Sequence, residues 1–256
     1  MAILEVSGLT KSFGGLMAVS SVDLAIDAGQ IVGMIGPNGA GKTTVFNLLT
    51  GIYRPDQGTI RFDGRDLAGM RPHAIVESGI ARTFQTIRLF PALTVLENVM
   101  SGRHCRTQIG ALGAILRGPR QRHEEAAIRA EAERRLRFME VWKFRNELAK
   151  NLPYGDQRRV EVARALATDP RLLILDEPAA GLNEQESGEL MALIRQIRDS
   201  GITVFLIEHD MKVVMGVSDR VVVLDNGRRI AEGTPEEIQA DLAVIEAYLG
   251  RDEDGV

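Results

Sequence analysis

The sequence has a single cysteine, Cys105, and a single tryptophan among its 256 residues. One thiol excludes an internal disulfide framework and a cysteine-based metal site, and it is compatible with a reducing compartment. Long apolar runs are also missing, since none approaches the roughly 18–20 residues that span a bilayer. No signal peptide precedes the first strand pattern. We therefore expect a chain that stays in the cytoplasm, so that any work at a membrane would require spans from other chains.

A surplus of positive charge is absent as well. The formal net charge is −4 and the sequence pI is about 5.7, which argues against nucleic acid as the main ligand. Hydrophobic residues make up 45% and charged residues 26% of the chain, as is ordinary for a soluble globular protein. At this length we expect one large domain or two small ones.

The most informative motif that the chain does contain is G-x-x-x-x-G-K-T, at residues 36–43. An apolar run at 31–35 leads into it and a helical pattern follows at 45–49, and this strand–loop–helix context is typical of a phosphate-binding loop. Such a loop and its helix N-terminus present backbone N–H groups to the phosphates. We expect Lys42 to contact the β- and γ-phosphates and Thr43 to bind Mg²⁺. The loop residues predicted to bind a nucleoside triphosphate are Gly36, Pro37, Asn38, Gly39, Ala40, Gly41, Lys42, Thr43 and Thr44.

A second motif follows the apolar run at 172–175, where Asp176 and Glu177 stand in sequence. In P-loop proteins the first acid at such a strand end helps to hold Mg²⁺. The second acid can polarise the water that attacks the γ-phosphate. We therefore predict Asp176 as a metal-binding residue and Glu177 as a catalytic residue.

Hydrophobic patterning predicts the fold class. Residues 2–31 and 60–65 alternate between apolar and polar positions, which indicates half-buried antiparallel strands. The runs at 172–175 and 203–207 are continuously apolar and follow helical patterns, as in buried parallel strands with right-handed crossovers. An Asn226-Gly227 hairpin and one short C-terminal helix, beginning after Thr234 and reaching about residue 249, complete the pattern. We predict an α/β P-loop NTPase with a RecA-like core and an antiparallel β subdomain.

Between about residues 86 and 152 the strand signal disappears, and residues 124–140 are rich in Ala, Glu, Arg and Leu. This composition predicts an inserted α-helical subdomain, with the nucleotide-binding core at about 1–85 and 153–256 of a single domain. Residues 101–122 are rich in arginine, and these arginines lie on both sides of the apolar segment 109–116. On charge alone, such a stretch is at least as often a solvated surface as an interaction surface. Its arginines are Arg103, Arg106, Arg117, Arg120 and Arg122.

The loop at 36–43 and the acidic pair at 176–177 are two of six motifs that together resemble the ATPase subunit of an ABC (ATP-binding cassette) transporter, over nearly the whole chain. The other four lie at 81–85, 152–166, 179–183 and 208–210. Residues 81–85 are similar to the family's Q-loop, and 152–166 to its LSGGQ signature and following helix. Residues 179–183 are similar to the D-loop, and 208–210 carry the switch histidine. Phe13 stands before Gly14, where the family places an aromatic ring against adenine.

The resemblance implies roles for residues that the motifs alone leave unassigned. Gln85 would approach Mg²⁺, His209 would contact the γ-phosphate and orient the water, and Phe13 would stack on adenine. The signature residues Tyr154, Gly155 and Asp156 would act on the ATP of the opposite subunit in a dimer. The predicted catalytic residues are thus Lys42, Glu177 and His209, and the predicted Mg²⁺-binding residues are Thr43, Gln85 and Asp176.

Two positions depart from the family pattern. The signature serine is Pro153, which removes a hydroxyl and a backbone N–H, and the D-loop aspartate is Asn183, which removes a charge at the dimer seam. We expect the γ-phosphate to depend instead on the N–H of Gly155 and on the helix N-terminus.

A finer resemblance, carried by residues 13–19, 81–90, 154–159, 179–183 and 207–211, is to the ATPases of bacterial branched-chain amino-acid importers. It implies two permease subunits, a second ATPase and an extracytoplasmic binding protein as partners, and a peripheral position on the cytoplasmic face of the membrane. An importer of urea or short amides is a close alternative, and lipopolysaccharide export fits the 86–90 segment less well. Two alternatives belong to functional classes other than transport. One is a soluble ABC ATPase without a transport role, and the other is a module that binds nucleotide without hydrolysing it.

Overall fold

The structure is a computed structural model that describes residues 1–103, 105 and 119–249, without the side chains of 119–121 and 249. Most of the arginine-rich stretch, including Arg106 and Arg117, therefore lies outside the described residues, as does the apolar segment 109–116. The strands are β1 (Ala2–Phe13), β2 (Leu16–Asp27), β3 (Ile31–Ile35), β4 (Gln57–Phe62), β5 (Arg65–Asp66), β6 (Ile80–Arg82), β7 (Leu172–Asp176), β8 (Thr203–Ile207), β9 (Arg220–Asp225) and β10 (Arg228–Gly233). The helices are α1 (Lys42–Leu49), α2 (Pro72–Ser78), α3 (Val95–Arg103), α4 (Pro119–Phe138), α5 (Tyr154–Leu166), α6 (Glu184–Asp199), α7 (Met211–Val217), α8 (Pro235–Ala240) and α9 (Leu242–Leu249).

The amino-terminal strands form the expected antiparallel sheet, in the order β2-β1-β4-β5. Buried and exposed positions alternate along β2 and β4, because one face packs on the core and the other meets solvent. Asp63 and Gly64 both have positive φ between β4 and β5, as a tight hairpin turn requires.

A second sheet of six strands, in the order β10-β9-β3-β8-β7-β6, forms the centre of the molecule. Strands β9, β3, β8, β7 and β6 are parallel, and β10 pairs antiparallel with β9 through the predicted Asn226-Gly227 turn. All five residues of β3, β7 and β8 are buried, since both faces of this sheet are covered. One face packs on α1 and the antiparallel sheet, and the other packs on α3 to α7.

The described part of 86–152 contains α3, α4 and two short 3₁₀ turns at Trp142–Phe144 and Ala149–Asn151. Val95, Val99 and Leu136 join the same hydrophobic cluster as the central sheet, so these helices are firmly packed on the core. Trp142 lies against that cluster between Arg137 and Arg145, whose guanidinium carbons are 3.9 and 4.6 Å from its ring. Trp142 therefore packs the helical segment against the core.

The C-terminal segment differs from the single short helix that the sequence predicts. Thr234 and Glu237 form the expected capping box at the start of α8. The backbone at Asp241 is extended, and its carboxylate accepts a hydrogen bond of 2.8 Å from the N–H of Ala243, so that a second helix, α9, begins. The prediction of one helix is therefore wrong, because Asp241 ends α8 and caps α9. Within the described ranges, no helix is both long enough and apolar enough to cross a bilayer.

Candidate active site

The carboxyl ends of four parallel strands meet at one edge of the central sheet. The loop that begins with Gly36 follows β3, and Gln85 lies three residues beyond β6. Asp176 ends β7, with Glu177 next, and Glu208 and His209 follow β8. This edge of an open parallel sheet is where such folds bind ligands. The topology thus brings together residues that are far apart in the sequence.

Two glycines of the loop after β3 are required by close backbone contacts. At Gly36, where φ is 151°, a Cβ atom would lie 2.0 Å from the carbonyl oxygen of Leu224. At Gly41, the N-cap of α1 with φ of 102°, a Cβ atom would lie 2.5 Å from the carbonyl oxygen of Ala18. Gly39 differs, since it has positive φ but open space around it. A side chain there would meet no protein atom within 4 Å, so only the positive φ favours glycine at this position.

Lys42 is held within the curve of this loop. Its side chain is buried, and Nζ donates hydrogen bonds to the carbonyl oxygens of Gly36 at 2.6 Å and Pro37 at 3.1 Å. The ammonium and the first N–H groups of α1 therefore lie at the same loop. This combination of a fixed positive charge and helix N-terminal amides suits a phosphate group.

Glu177, Gln85 and His209 come together beside β7. Gln85 Nε2 donates to Glu177 Oε2 at 2.9 Å, and His209 Nδ1 lies 3.9 Å from the same oxygen. Glu177 has φ of 48°, which is uncommon for a residue with a side chain. The carboxylate is therefore in a specified position, within reach of an amide and an imidazole.

The predicted metal-binding residues supply hard oxygen donors. Thr43 contributes a hydroxyl in the exposed first turn of α1, Asp176 a buried carboxylate, and Gln85 an amide. No cluster of three or more His, Cys, Asp or Glu side chains suited to a metal occurs in the part of the chain that the structure describes. This donor set fits Mg²⁺, which usually takes one or two protein carboxylates and completes its shell with phosphate oxygens and water.

Phe13 lies at the end of β1 with 41% of its surface exposed. Its ring contacts Tyr53 edge-on, with centroids 5.0 Å apart and planes at 69°. Lys11 Nζ lies 5.5 Å from the centroid of the Phe13 ring. The exposed ring suits stacking on a flat aromatic ligand. Tyr53, which has no predicted role, is 36% exposed beside this ring, and the only signal in the sequence is an aromatic residue shortly after Gly51.

The signature residues Tyr154, Gly155 and Asp156 form the first turn of α5. Pro153 is the N-cap and makes no capping hydrogen bond through its side chain. A Cβ atom on Gly155 would lie 3.1 Å from Glu186 Oε1, and one on Gly181 would lie 3.0 Å from the Tyr154 ring. The signature turn therefore packs against the start of α6 and the loop that leads to it.

Asn183 has a structural role that the sequence did not predict. Its Oδ1 accepts a hydrogen bond of 2.9 Å from the N–H of Glu186, and Glu186 Oε2 accepts one of 3.0 Å from the N–H of Asn183. The residue thus forms a capping box at the start of α6. A neutral side chain at this position is sufficient for the cap.

Arg158 is a second residue without a predicted role, and its side chain is fully buried. It donates hydrogen bonds to the carbonyl oxygens of Phe84 at 2.8 Å and Gln85 at 2.9 Å, and to Tyr154 Oη at 3.2 Å. Its ion-pair partner is Glu161, at 2.9 Å. Burial raises the pKa of Glu161, while hydrogen bonding from Arg88 and the charge of Arg158 oppose that increase. The signature helix is therefore tied to the backbone of the Gln85 loop within one subunit.

Glu208 is also buried, next to His209. Its Oε1 accepts a hydrogen bond of 2.7 Å from the N–H of Ala179, and its Oε2 lies 3.8 Å from His209 Nδ1. Burial raises the pKa of this carboxyl, more than the Ala179 hydrogen bond and the histidine lower it. A polar residue immediately after a continuous apolar run was the available signal in the sequence.

Comparisons with known proteins identify the family of the chain. A family profile described as ABC transporter matches residues 19–180, and one described as branched-chain amino acid ATP-binding cassette transporter matches residues 228–254. The high-affinity branched-chain amino acid transport ATP-binding protein BraF of Pseudomonas aeruginosa is 49% identical over 97% of this chain and 98% of its own length. The corresponding LivG protein of Escherichia coli K12 is 47% identical over the same shares of the two chains.

A solved structure shows the same fold. The ADP-bound form of an ATP-binding cassette from an ABC transporter superposes with a TM-score of 0.86 and 31% identity, over 98% of this chain and 99% of that one. The predicted fold class is therefore confirmed. From the loop at Gly36–Lys42, the strand-end carboxylates and these similarities, the chain belongs to the ABC transporter family, as an ATP-binding subunit of its branched-chain amino-acid group.

Proposed function

We propose that this chain hydrolyses ATP to drive the uptake of leucine, isoleucine and valine through separate permease subunits. One observation carries the catalytic part of the proposal: Gln85 and His209 lie around the Glu177 carboxylate, at the sheet edge that also bears the Lys42 loop. Phosphoryl transfer requires mainly positioning and neutralisation of charge, and these residue types supply both.

In this proposal each residue has a distinct task. Lys42 and the amides of its loop bind the β- and γ-phosphates, and the exposed ring of Phe13 stacks on adenine. Thr43, Asp176 and Gln85 would hold Mg²⁺, which would supply positive charge to neutralise the phosphates. Glu177 accepts a proton from the attacking water, and His209 holds the γ-phosphate and that water in place.

The signature turn acts on the nucleotide of a second ATPase subunit, either identical or paralogous. The first turn of α5 offers N–H groups without a side-chain cap, and Tyr154 is 44% exposed, so both are accessible to a ligand on a facing subunit. Hydrolysis then depends on closure of the dimer, because only closure completes the set of donors around the γ-phosphate.

Permease subunits dock on the surface that follows Gln85, where Phe90 is 52% and Leu93 36% exposed. Exposed apolar side chains of this kind suit a protein partner. The chain then lies peripherally on the cytoplasmic face of the membrane, and an extracytoplasmic binding protein delivers the amino acid to the permeases. The substrate class is supported by the names of the relatives and by the C-terminal family profile.

Uptake of radiolabelled leucine tests the substrate, in cells that lack this chain and are complemented with wild type, Lys42→Ala or Lys150→Ala. Lys150 lies in the 3₁₀ turn Ala149–Asn151, on a different element from the Lys42 loop, so this control should restore uptake as the wild type does. Restoration by wild type and Lys150→Ala, but not by Lys42→Ala, is the expected result. Restoration of urea uptake instead of leucine uptake would contradict the assignment.

A further inference from the structure

We propose that Arg82 is a positioning residue that fixes the spacing between Thr43 and Asp176, the two predicted Mg²⁺-binding residues on α1 and β7. The inference rests on the proposed function, since it concerns the metal that accompanies ATP there. It deepens that function by naming a residue that acts on the metal through its ligands.

The first observation is an ion pair to the carboxylate at the end of β7. Arg82 Nη2 lies 2.7 Å from Asp176 Oδ2, and the two side chains are 7% and 5% exposed. Arg82 ends β6 and Asp176 ends β7, the adjacent strand in the central sheet. The guanidinium therefore fixes one carboxylate oxygen, Oδ2, of the side chain that is predicted to bind the metal.

The second observation is that the same guanidinium binds α1. Arg82 Nη1 donates to Asn47 Oδ1 at 2.7 Å and to Thr50 Oγ1 at 3.0 Å. Asn47 lies four residues after Thr43, so the two side chains share one face of α1. Arg82 thus spans from the carboxylate that holds the metal to the helix face that carries the metal-binding hydroxyl.

The surroundings of Arg82 keep this bridge rigid. The guanidinium carbon lies 5.1 Å from the centroid of the Phe84 ring and 5.8 Å from that of Phe46. Aromatic rings next to a guanidinium exclude water and add a cation–π attraction, so the hydrogen bonds act in a low-dielectric setting. Arg82 reaches α1 and Asp176 with two separate terminal nitrogens, whereas lysine carries its three donors on one nitrogen and cannot keep that geometry.

A purely structural ion pair is the competing explanation, because buried pairs often serve packing alone. The two explanations differ in metal dependence. A structural role affects ATP binding with and without the metal alike, whereas a positioning role affects only the additional affinity that Mg²⁺ provides. Residues that orient metal ligands typically change metal affinity by about 10–100-fold when they are replaced.

The test measures binding of a fluorescent ATP analogue to the full chain in EDTA and across a Mg²⁺ titration, for wild type, Arg82→Lys and Arg88→Lys. Arg88→Lys is the matched control, because Arg88 lies 4.2 Å from the same Phe84 ring and is exposed. We expect Arg82→Lys to bind the analogue in EDTA as the wild type does, and to need about tenfold more Mg²⁺ for half-maximal enhancement. Mn²⁺ titration followed by electron paramagnetic resonance should show the same order of affinities.

Equal Mg²⁺ dependence in Arg82→Lys, Arg88→Lys and wild type would overturn the proposal. If Arg82→Lys does not fold, Asn47→Ala removes one of the α1 contacts without leaving a buried charge unpaired. A shift in the same direction supports the proposal, and an unchanged Mg²⁺ midpoint refutes it. A wild-type protein that does not bind the analogue in EDTA or in Mg²⁺ would instead refute the proposed function itself.

Discussion

At the scale of single residues, the two glutamates next to His209, Glu177 and Glu208, have opposite surroundings. The side chain of Glu177 is 21% exposed, next to His209 and hydrogen bonded to Gln85, whereas that of Glu208 is 1% exposed. A carboxylate that must accept a proton from water needs access to it, which Glu177 has and Glu208 lacks. The different exposures therefore assign different roles to the two acids.

Replacement of Glu177 by glutamine should separate ATP binding from hydrolysis. The amide retains the size of the side chain but cannot accept the proton, and loss of a general base typically lowers a rate by about 10²–10⁴-fold. We expect Glu177→Gln to bind ATP like the wild type and to hydrolyse it at least about a hundredfold more slowly. The exposed Glu236→Gln on α8 is the control, measured by phosphate release and nucleotide binding. Rapid hydrolysis by Glu177→Gln would contradict the role of this carboxylate.

Glu208 should make the stability of the protein depend on pH. Because its folded-state pKa lies above the ordinary value of 4.5, the native state binds more protons than the unfolded state in the interval between the two values. Deprotonation of the buried Glu208 carboxyl therefore lowers the free energy of unfolding as pH rises through that interval. A glutamine carries no charge and does not lose this stability. We expect Glu208→Gln to melt at a higher temperature than the wild type at neutral pH, with a difference that shrinks toward pH 4.5.

Glu236→Gln on the exposed surface of α8 serves as the control in the same melting experiment. A melting-temperature difference for Glu208→Gln that stays constant with pH would contradict the titration argument. A variant that is less stable than the wild type at neutral pH would also contradict it.

The sequence alone identified the residues whose roles follow from local motifs, but not those whose partners are distant. Lys42 follows from its loop, and Asp176 and Glu177 from the apolar run before them. Arg82, by contrast, contacts Asp176 and Asn47, which are 94 and 35 residues away in sequence. No periodicity within a short window reports such pairings, so a buried arginine at a strand end had no predicted role.

At the scale of helices and strands, helix caps explain two differences between prediction and structure. Asn183 was interpreted as a missing charge, and it proves to cap α6 through reciprocal hydrogen bonds with Glu186. Asp241 divides the C-terminal segment into two helices by capping the second. Capping depends on a single residue in extended backbone, and hydrophobic periodicity does not detect it. The strands and their buried runs were predicted well, since their patterns extend over several residues.

Loss of the Asn183 cap should lower stability by a predictable amount. Replacing an N-cap residue by alanine typically costs about 1 kcal/mol, which corresponds to a decrease in melting temperature of about 2–4 °C for a chain of this size. We expect that decrease in Asn183→Ala, measured by differential scanning calorimetry. Asn183→Asp is the matched control, because aspartate caps equally well and should melt with the wild type. An Asn183→Ala protein as stable as the wild type would show that the cap contributes little.

At the scale of the whole molecule, the central sheet separates two hydrophobic cores. Ile31 and Ile35 of β3 point to the core shared with α3 to α7, while Val32 and Met34 point to the core shared with α1 and the antiparallel sheet. Leu175 of β7 and Leu206 of β8, which lie just before the site residues Glu177 and His209, belong to the same core as the signature helix, so this core connects that helix to the active-site edge. The boundaries of the helical subdomain, at about 86 and 152, remain a prediction.

The central claim is that hydrolysis at Glu177 drives import of branched-chain amino acids. The most direct test is ATP-dependent uptake of radiolabelled leucine into proteoliposomes that contain the permease subunits, both ATPases and the binding protein. We predict uptake with the wild-type chain and with Glu236→Gln, and uptake reduced at least about a hundredfold with Glu177→Gln. ATP-dependent leucine uptake that persists undiminished with Glu177→Gln, or that does not require this chain, would contradict the account.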